Sequence, residues 1–330
     1  MQTDVRIKMD LKVSGATLVQ RQAYPLDLKI EMTLERIRHW NESYIGKVYV
    51  AFSGGKDSTV LLHLVRSLYP TVPAVFVDTG LEYPEIRQFV KNHEHAVVLK
   101  PEMSFLRCIE HYGYPVISKK VANAVSRIRS CKAGRRDRMK SLYGDERGSF
   151  GRLPKKWQYL LAAPFRISDR CCEVMKTRPI LKYHRKEGRA AFVGLMAEDS
   201  DKRRLGYLIH GCYQNYGSVP KCLPMAFWTE RDVWAYIRVN NVPYCPVYDT
   251  GVKRTGCMFC CFGVHEEPRP NRFQLMARTH PTQYKYCMEK LGIRKVLDFV
   301  GVPCDPVVDP APDKRIIVAT DQEVTDVEGL

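Results

Sequence analysis

Residues 53–58 read Ser53-Gly54-Gly55-Lys56-Asp57-Ser58, between one apolar run, Lys47 to Phe52, and another, Thr59 to Val65. Paired glycines let backbone N–H groups approach phosphate oxygens with no Cβ in the way. A helix starting at that point adds the positive end of its dipole. Ser53 and Ser58 offer hydroxyl donors, and Asp57 can cap the helix or help hold Mg2+. The chemistry expected here is phosphate binding by a loop other than the Walker type, whose GxxxxGK[ST] spacing is absent. A second set is sulfur. Cys171 and Cys172 are adjacent, and Cys257-Met258-Phe259-Cys260 follows, with 85 residues from Cys172 to Cys257. Four thiolates can hold zinc or an iron–sulfur cluster, and spacing alone does not separate the two. Cys108, Cys131 and Cys287 read as buried structural cysteines. Cys212, Cys222, Cys245 and Cys261 are the substitutes should one ligand be misassigned, Cys212 first.

These groups need a scaffold. Lys47 to Phe52 reads as a buried strand running into the loop, and Thr59 to Val65 as a buried helix leaving it. A second strand is expected at Ala74 to Asp78, a helix at Pro84 to Asn92, and strands at Ala96 to Leu99 and Ala190 to Leu195. Strands alternating with helices imply an α/β fold with a doubly wound parallel sheet. The expected organisation is a helical segment over 1–44 and a nucleotide-binding domain over 45–245. A cysteine-rich and helical segment over 246–303 and an acidic, extended tail over 304–330 complete it. An amphipathic helix is expected from Glu230 to Asn240.

The chain of 330 residues carries 52 Lys and Arg against 36 Asp and Glu, a formal net charge of +16. Between Arg127 and Lys156 there are eleven basic and three acidic residues, a net of +8. This stretch reads as a solvent-facing helical insertion. Such a charge suits a phosphate-rich partner or a plain solvated surface. Tyr143, Phe150, Trp157 and Tyr159 could stack on bases or anchor the insertion to the core. No apolar run approaches the roughly 18 residues of a membrane helix. Met1 to Arg6 show no secretion signal, so a cytoplasmic protein is expected. Twelve cysteines in such a chain point to metal or redox chemistry rather than disulfides.

Several motifs resemble one superfamily. Ser53 to Ser58 resembles the SGGxDS signature of PP-loop ATP pyrophosphatases, which are adenine-nucleotide α-hydrolase-like. Val77-Asp78-Thr79-Gly80, followed by Tyr83-Pro84-Glu85, resembles the DTG-x-x-[FY]-P-E element of phosphoadenylyl-sulfate (PAPS) reductases. The paired cysteines followed by CxxC resemble the [4Fe-4S] ligand pattern of adenylyl-sulfate reductases. Gly194 to Arg203 resembles the G-x-[RM]-x-x-[ED]-S-x-x-R element of the same superfamily. The likeness covers about residues 25–303.

The resemblance implies a nucleotide site of Ser53, Gly54, Gly55, Lys56, Asp57, Ser58, Asp78, Thr79, Gly80, Lys176, Gly194 and Arg203. It implies Lys56, Asp57 and Arg204 as catalytic groups, with ATP and Mg2+. It implies a cluster on Cys171, Cys172, Cys257 and Cys260, with zinc as the alternative. One departure matters. Sulfonucleotide reductases carry a C-terminal ECG[LI]H cysteine that attacks sulfate sulfur, and no such motif occurs here. Cys304 is the nearest substitute, but Asp305 and Asp309 beside it do not favour a thiolate. The expected activity is therefore ATP pyrophosphatase chemistry that activates an acceptor for sulfur transfer. Nucleic acid is the expected acceptor, with a cysteine desulfurase or other sulfur donor as partner. A sulfonucleotide reductase and a non-catalytic nucleotide-binding regulator are the alternatives.

Overall fold

Val48, Tyr49 and Val50 are β-branched or aromatic and fully buried, and they form the central strand β1 (Val48–Ala51). The computed structural model describes residues 12–146 and 151–307. Helices α1 (Gly15–Ala23) and α2 (Leu26–Ser43) precede β1. After it come α3 (Lys56–Leu68), β2 (Ala74–Val77), α4 (Pro84–Lys91), β3 (Ala96–Leu99), α5 (Phe105–Tyr112) and β4 (Val116–Ile117). Then follow α6 (Lys119–Ser130), α7 (Arg136–Tyr143), α8 (Arg178–Glu187), β5 (Ala190–Val193), α9 (Asp201–His210), β6 (Tyr213–Gln214) and β7 (Lys221–Cys222). The last are α10 (Glu230–Val239), β8 (Cys261–Phe262), α11 (Arg272–Thr279), α12 (Pro281–Lys285) and α13 (Ile293–Phe299).

The main sheet has the order β3-β2-β1-β5-β7-β6. It is parallel except for β6, which runs antiparallel to β7. Six residues, 215–220, join that pair, too few for the helical crossover a parallel neighbour needs. The order reverses at β1: the chain moves outward to β2 and β3, then returns to β5 on the other side. In an open α/β sheet, the crevice at the carboxyl ends of the strands flanking such a reversal is where ligands bind. Helices α2 and α3 pack on one face of the sheet, and α10 packs against both. On the other, Tyr183 of α8 meets Tyr49 edge-on at 5.3 Å, over Val75 and Ala191.

Buried Lys29 of α2, 2% exposed, pairs with Asp232 at 2.7 Å and so fixes the start of α10. Asp232 also accepts from the backbone N–H and hydroxyl of Thr229, closing a capping box. One cluster of buried side chains extends from Val13 to Cys304, apart from the smaller one under α8.

Between 127 and 156 most described residues are exposed, as a solvent-facing insertion requires, and Ile128, Ser141 and Leu153 are the buried ones. Helix α6 buries Val121, Ala122, Ala124, Val125 and Ile128, and Leu153 is buried as well. Arg129 donates to the Phe165 carbonyl at 2.7 Å, and Arg138 to that of Cys131 at 3.0 Å. Trp157 meets His265 edge-on at 5.1 Å and Tyr159 meets Phe299 at 5.8 Å, so both rings anchor to the body. Tyr143 stays exposed. Phe150 and most of the acidic tail lie outside the described residues. A second, two-stranded sheet pairs β4 with β8, Val116 opposite Cys261 and Ile117 opposite Phe262. No helix among the described residues is long and apolar enough to cross a membrane.

Candidate functional site

The loop from Ser53 to Ser58 leaves β1 and closes on itself. Ser58 Oγ donates to the Gly55 carbonyl at 2.9 Å and accepts from the Ser53 N–H at 3.2 Å. Ser53 Oγ lies 3.0 Å from Ser58 Oγ and accepts from the Gly55 N–H at 3.3 Å. The two serines therefore shape the loop before they meet any ligand. Gly194, just past β5, passes against the same turn. A Cβ there would stand 3.1 Å from the Asp57 carbonyl oxygen and 3.3 Å from the Ser58 nitrogen. Both neighbours are backbone, so only glycine lets β5 lie this close.

The loop opens into a cavity of about 460 Å³ at the carboxyl ends of β1 and β5, where the strand order reverses. Ser53, Gly55, Lys56, Asp57, Ser58, Gly194 and Arg203 line it. Residues that sequence reasoning did not assign line it too: Glu198, Asp199 and Glu230, and from the chain before the CxxC, Tyr248, Arg254 and Thr255. Glu198 and Asp199 lie within the quoted glycine–arginine element, and the run Arg254-Thr255-Gly256 abuts Cys257. That adjacency was the available signal.

Lys56 is 5% exposed, with its ammonium 3.4 Å from Asp57 Oδ1 and 3.2 Å from Glu230 Oε1. Burial works against that charge, but Asp57, Tyr248 and Glu230 outweigh it and hold the pKa above the ordinary lysine value. Burial pushes the Asp57 carboxyl upward; Lys56 opposes this, while Asp199 and Glu230 add to it, and the net shift is upward. Asp57 Oδ1 is buried and accepts no hydrogen bond. Asp199 pairs with Arg203 and accepts from the Met196 N–H at 3.0 Å, which pins the loop after β5. Four carboxylates thus line the cavity against three cationic side chains, Lys56, Arg203 and Arg254. A polyphosphate entering this pocket needs added positive charge. Asp57 Oδ1, met only by the Lys56 ion pair, fits a hard cation such as Mg2+, which takes oxygen ligands.

Other residues of the expected nucleotide site, and the expected catalytic Arg204, lie elsewhere. Gly54 sits behind the loop, against Ile86 and Val90. Asp78 pairs with Arg87 at 2.9 Å and accepts from the Gly80 N–H. Thr79 donates to Glu82 at 2.8 Å. Lys176 lies 3.8 Å from Glu82 and lines a different cavity. Arg204 lines a separate depression with Gln22, Asp201 and Thr229.

That different cavity holds the thiols. Cys171, Cys172, Cys257 and Cys260 line it together, with Leu81, Phe105, Pro115, Met175 and Lys176. The first two cysteines stand at the start of the helical turn that leads into α8. The other two precede β8, whose pairing with β4 holds them in place. The turn after β2 forms part of the frame, since the Leu81 carbonyl accepts from the Met258 N–H at 2.8 Å. Arg272, ion-paired with Glu267, donates to the Cys260 carbonyl at 3.1 Å.

Within the pair, Cys172 is the thiol driven toward thiolate. A hydrogen bond with Cys171 lowers its pKa and, against burial, Lys119 and Lys176 lower it further. The same hydrogen bond, with burial, pushes Cys171 up. Burial raises Cys257, and raises Cys260 to about 11. At the other three cysteines the cavity resists bare thiolates, and it accepts them once metal supplies the charge. Among the described residues no three His, Cys, Asp or Glu side chains are grouped to ligate a single ion, so the thiols line a cavity rather than converge on a point. Four thiols lined by apolar side chains and one lysine, with no carboxylate, fit an iron–sulfur cluster by donor type.

A family model described as the phosphoadenosine phosphosulfate reductase domain matches residues 47–142 and 143–262. An uncharacterised protein of Methanocaldococcus jannaschii is 26% identical over 228 residues, 68% of this chain; the match spans 38% of that relative's length. An adenosine 5'-phosphosulfate reductase of Bacillus thuringiensis is 25% identical over 225 residues, 68% of this chain and 77% of the relative. Among solved structures, the PAPS reductase of Candida auris covers 74% of this chain and 96% of its own, at 16% identity and a TM-score of 0.41. The tRNA thiolase of Methanococcus maripaludis with its [4Fe-4S] cluster covers 83% and 80%, at 13% identity and a TM-score of 0.38.

Proposed function

This chain belongs to the phosphoadenosine phosphosulfate reductase domain family, and we propose that within it the protein is an ATP pyrophosphatase working in sulfur transfer. The carrying observation is the phosphate-loop cavity itself. A buried lysine, an arginine and a carboxylate oxygen without a hydrogen bond surround a space of about 460 Å³ at the sheet's reversal point. ATP with Mg2+ meets those demands: the metal answers the excess of carboxylates, and Lys56 and Arg203 hold phosphate oxygens. The acceptor oxygen attacks the α-phosphorus and pyrophosphate leaves. When a sulfur nucleophile then replaces the activated oxygen, AMP departs with it.

Cys171, Cys172, Cys257 and Cys260 would hold a [4Fe-4S] cluster. When bound, it supplies iron at which sulfur can be carried or polarised. The acceptor in this reading is nucleic acid, met by the exposed Lys132, Arg135 and Arg136 beside α7. The sulfur comes from a cysteine desulfurase or another donor.

A second reading, sulfonucleotide reduction, is favoured by the name of the Bacillus relatives. It needs a nucleophilic cysteine. Cys304 is 1% exposed, and burial raises its pKa, with Arg294 opposing and Asp298 and Asp305 adding to the rise. That environment favours the first reading. The test is to identify the products of ATP by phosphorus NMR, in anaerobic protein, with and without Asp57→Asn. AMP and pyrophosphate, lost in the variant, are expected. ADP and phosphate as products, or pyrophosphate release unaffected by the substitution, would overturn the assignment.

A further inference from the structure

The hydroxyl of Tyr248 accepts a hydrogen bond from the Lys56 backbone N–H at 2.9 Å and lies 3.1 Å from Thr255 Oγ1. Lys56 is the first residue of α3. Its N–H is therefore one that the helix leaves without an internal partner, and that a phosphate loop turns toward its ligand. Thr255 closes the other side. A Cβ on Gly55 would stand 2.6 Å from Thr255 Oγ1 and 3.2 Å from the Tyr248 hydroxyl. Two neutral hydroxyls thus lie against the backbone that would face a phosphate oxygen. The Tyr248 ring is held edge-on to Trp234 at 5.6 Å, with the Lys56 ammonium 5.7 Å from its centre.

We infer that Tyr248 is a specificity-determining residue of this pocket: its hydroxyl stands in for a phosphate oxygen and must leave the Lys56 N–H before a polyphosphate can seat. The inference rests on the nucleotide reading and adds a discriminating element to it. A charged phosphate oxygen makes a stronger hydrogen bond than the neutral hydroxyl and displaces it. An uncharged nucleoside offers no charged oxygen to outcompete the hydroxyl and leaves the tyrosine in place. The hydroxyl therefore lowers affinity for every phosphate-bearing ligand, and only those with several charged contacts overcome it.

The test is calorimetric titration of full-length wild-type and Tyr248→Phe protein with pyrophosphate, ATP and adenosine. Removing the competing hydroxyl is expected to tighten pyrophosphate and ATP about three- to tenfold, the worth of one neutral hydrogen bond, and to leave adenosine unchanged. Thr255→Val withdraws the Tyr248 hydroxyl's other partner and should shift the same two ligands in the same direction by less, which keeps the test open should Tyr248→Phe misfold. ATP should also change the Trp234 emission of wild-type protein, a change absent in Trp234→Phe. Equal or weaker pyrophosphate binding in Tyr248→Phe would make the hydroxyl a ligand or a brace and overturn the inference. So would equal tightening of adenosine, which reports a loosened pocket. Failure of both proteins to bind either phosphate ligand would instead bring down the nucleotide reading, and the inference with it.

Discussion

At Asp57 the interests of folding and of function oppose each other. Its carboxyl has a raised pKa because burial, with Asp199 and Glu230, outweighs Lys56. The folded protein therefore binds that proton more readily than the unfolded chain, and stability falls as pH rises from the ordinary carboxylate value through the folded one. Asp57→Asn is expected to melt at the same temperature as wild type or higher at pH 7. The difference should shrink as pH falls below about 4, while ATP turnover is lost throughout. Melting curves at both pH values with parallel turnover check this; a variant that melts lower and still turns over contradicts it. Gly194→Ala should act through packing, because its Cβ meets only the backbone of Asp57 and Ser58. A loss of about 1–3 kcal/mol in stability with weakened ATP binding is expected from denaturant titration. The phosphate loop was legible in the sequence because its chemistry is local, and Gly194 because it opens a motif that resembles the superfamily's; its close approach to Asp57 was not. Tyr248 and Thr255 were not, since only the folded chain brings their hydroxyls to Gly55 and Lys56.

Two pairs of cysteines are carried by separate elements, one pair at the entry to α8 and one before β8. The β4–β8 pairing, with Val116 opposite Cys261, brings the second pair to the first. A cluster bound across them should contribute to stability as well as colour. Anaerobic protein is expected to carry about four irons per chain. Cys257→Ser and Cys260→Ser should lose that iron and melt at lower temperature, while Cys131→Ser, away from the cavity, should keep it. Stoichiometric zinc without iron in elemental analysis would contradict the cluster. The cysteine pairing could be read from the chain, as could every strand from β1 to β3 and β5, whose apolar runs are continuous. The antiparallel β6 could not: two residues carry too little pattern to show direction. The basic stretch could be read as solvent-facing because its charges are continuous; the apolar face that anchors α6, Ala122, Val125 and Ile128, lies largely ahead of it.

The net charge of +16 is a property of the whole molecule, yet its arginines are not equivalent. Arg138 is engaged by the Cys131 carbonyl, whereas Lys132, Arg135 and Arg136 are exposed. If nucleic acid lies along this face, log affinity for duplex DNA should fall against log salt by about 0.9 per phosphate neutralised. Replacing Lys132, Arg135 and Arg136 by Ala should then reduce that slope by up to about three, with ATP binding unchanged. An unaltered slope in fluorescence anisotropy titrations would make the face a solvated surface only. The fold itself joins the two chemistries, since the segment roofing the phosphate loop ends at Cys257 and the turn after β2 frames the thiol cavity. The most direct test presents anaerobically purified protein with ATP, adenylyl sulfate and PAPS in parallel and reads pyrophosphate and sulfite in each. Pyrophosphate from ATP, with no sulfite from either sulfonucleotide, is the result predicted here; sulfite release without pyrophosphate from ATP would contradict it.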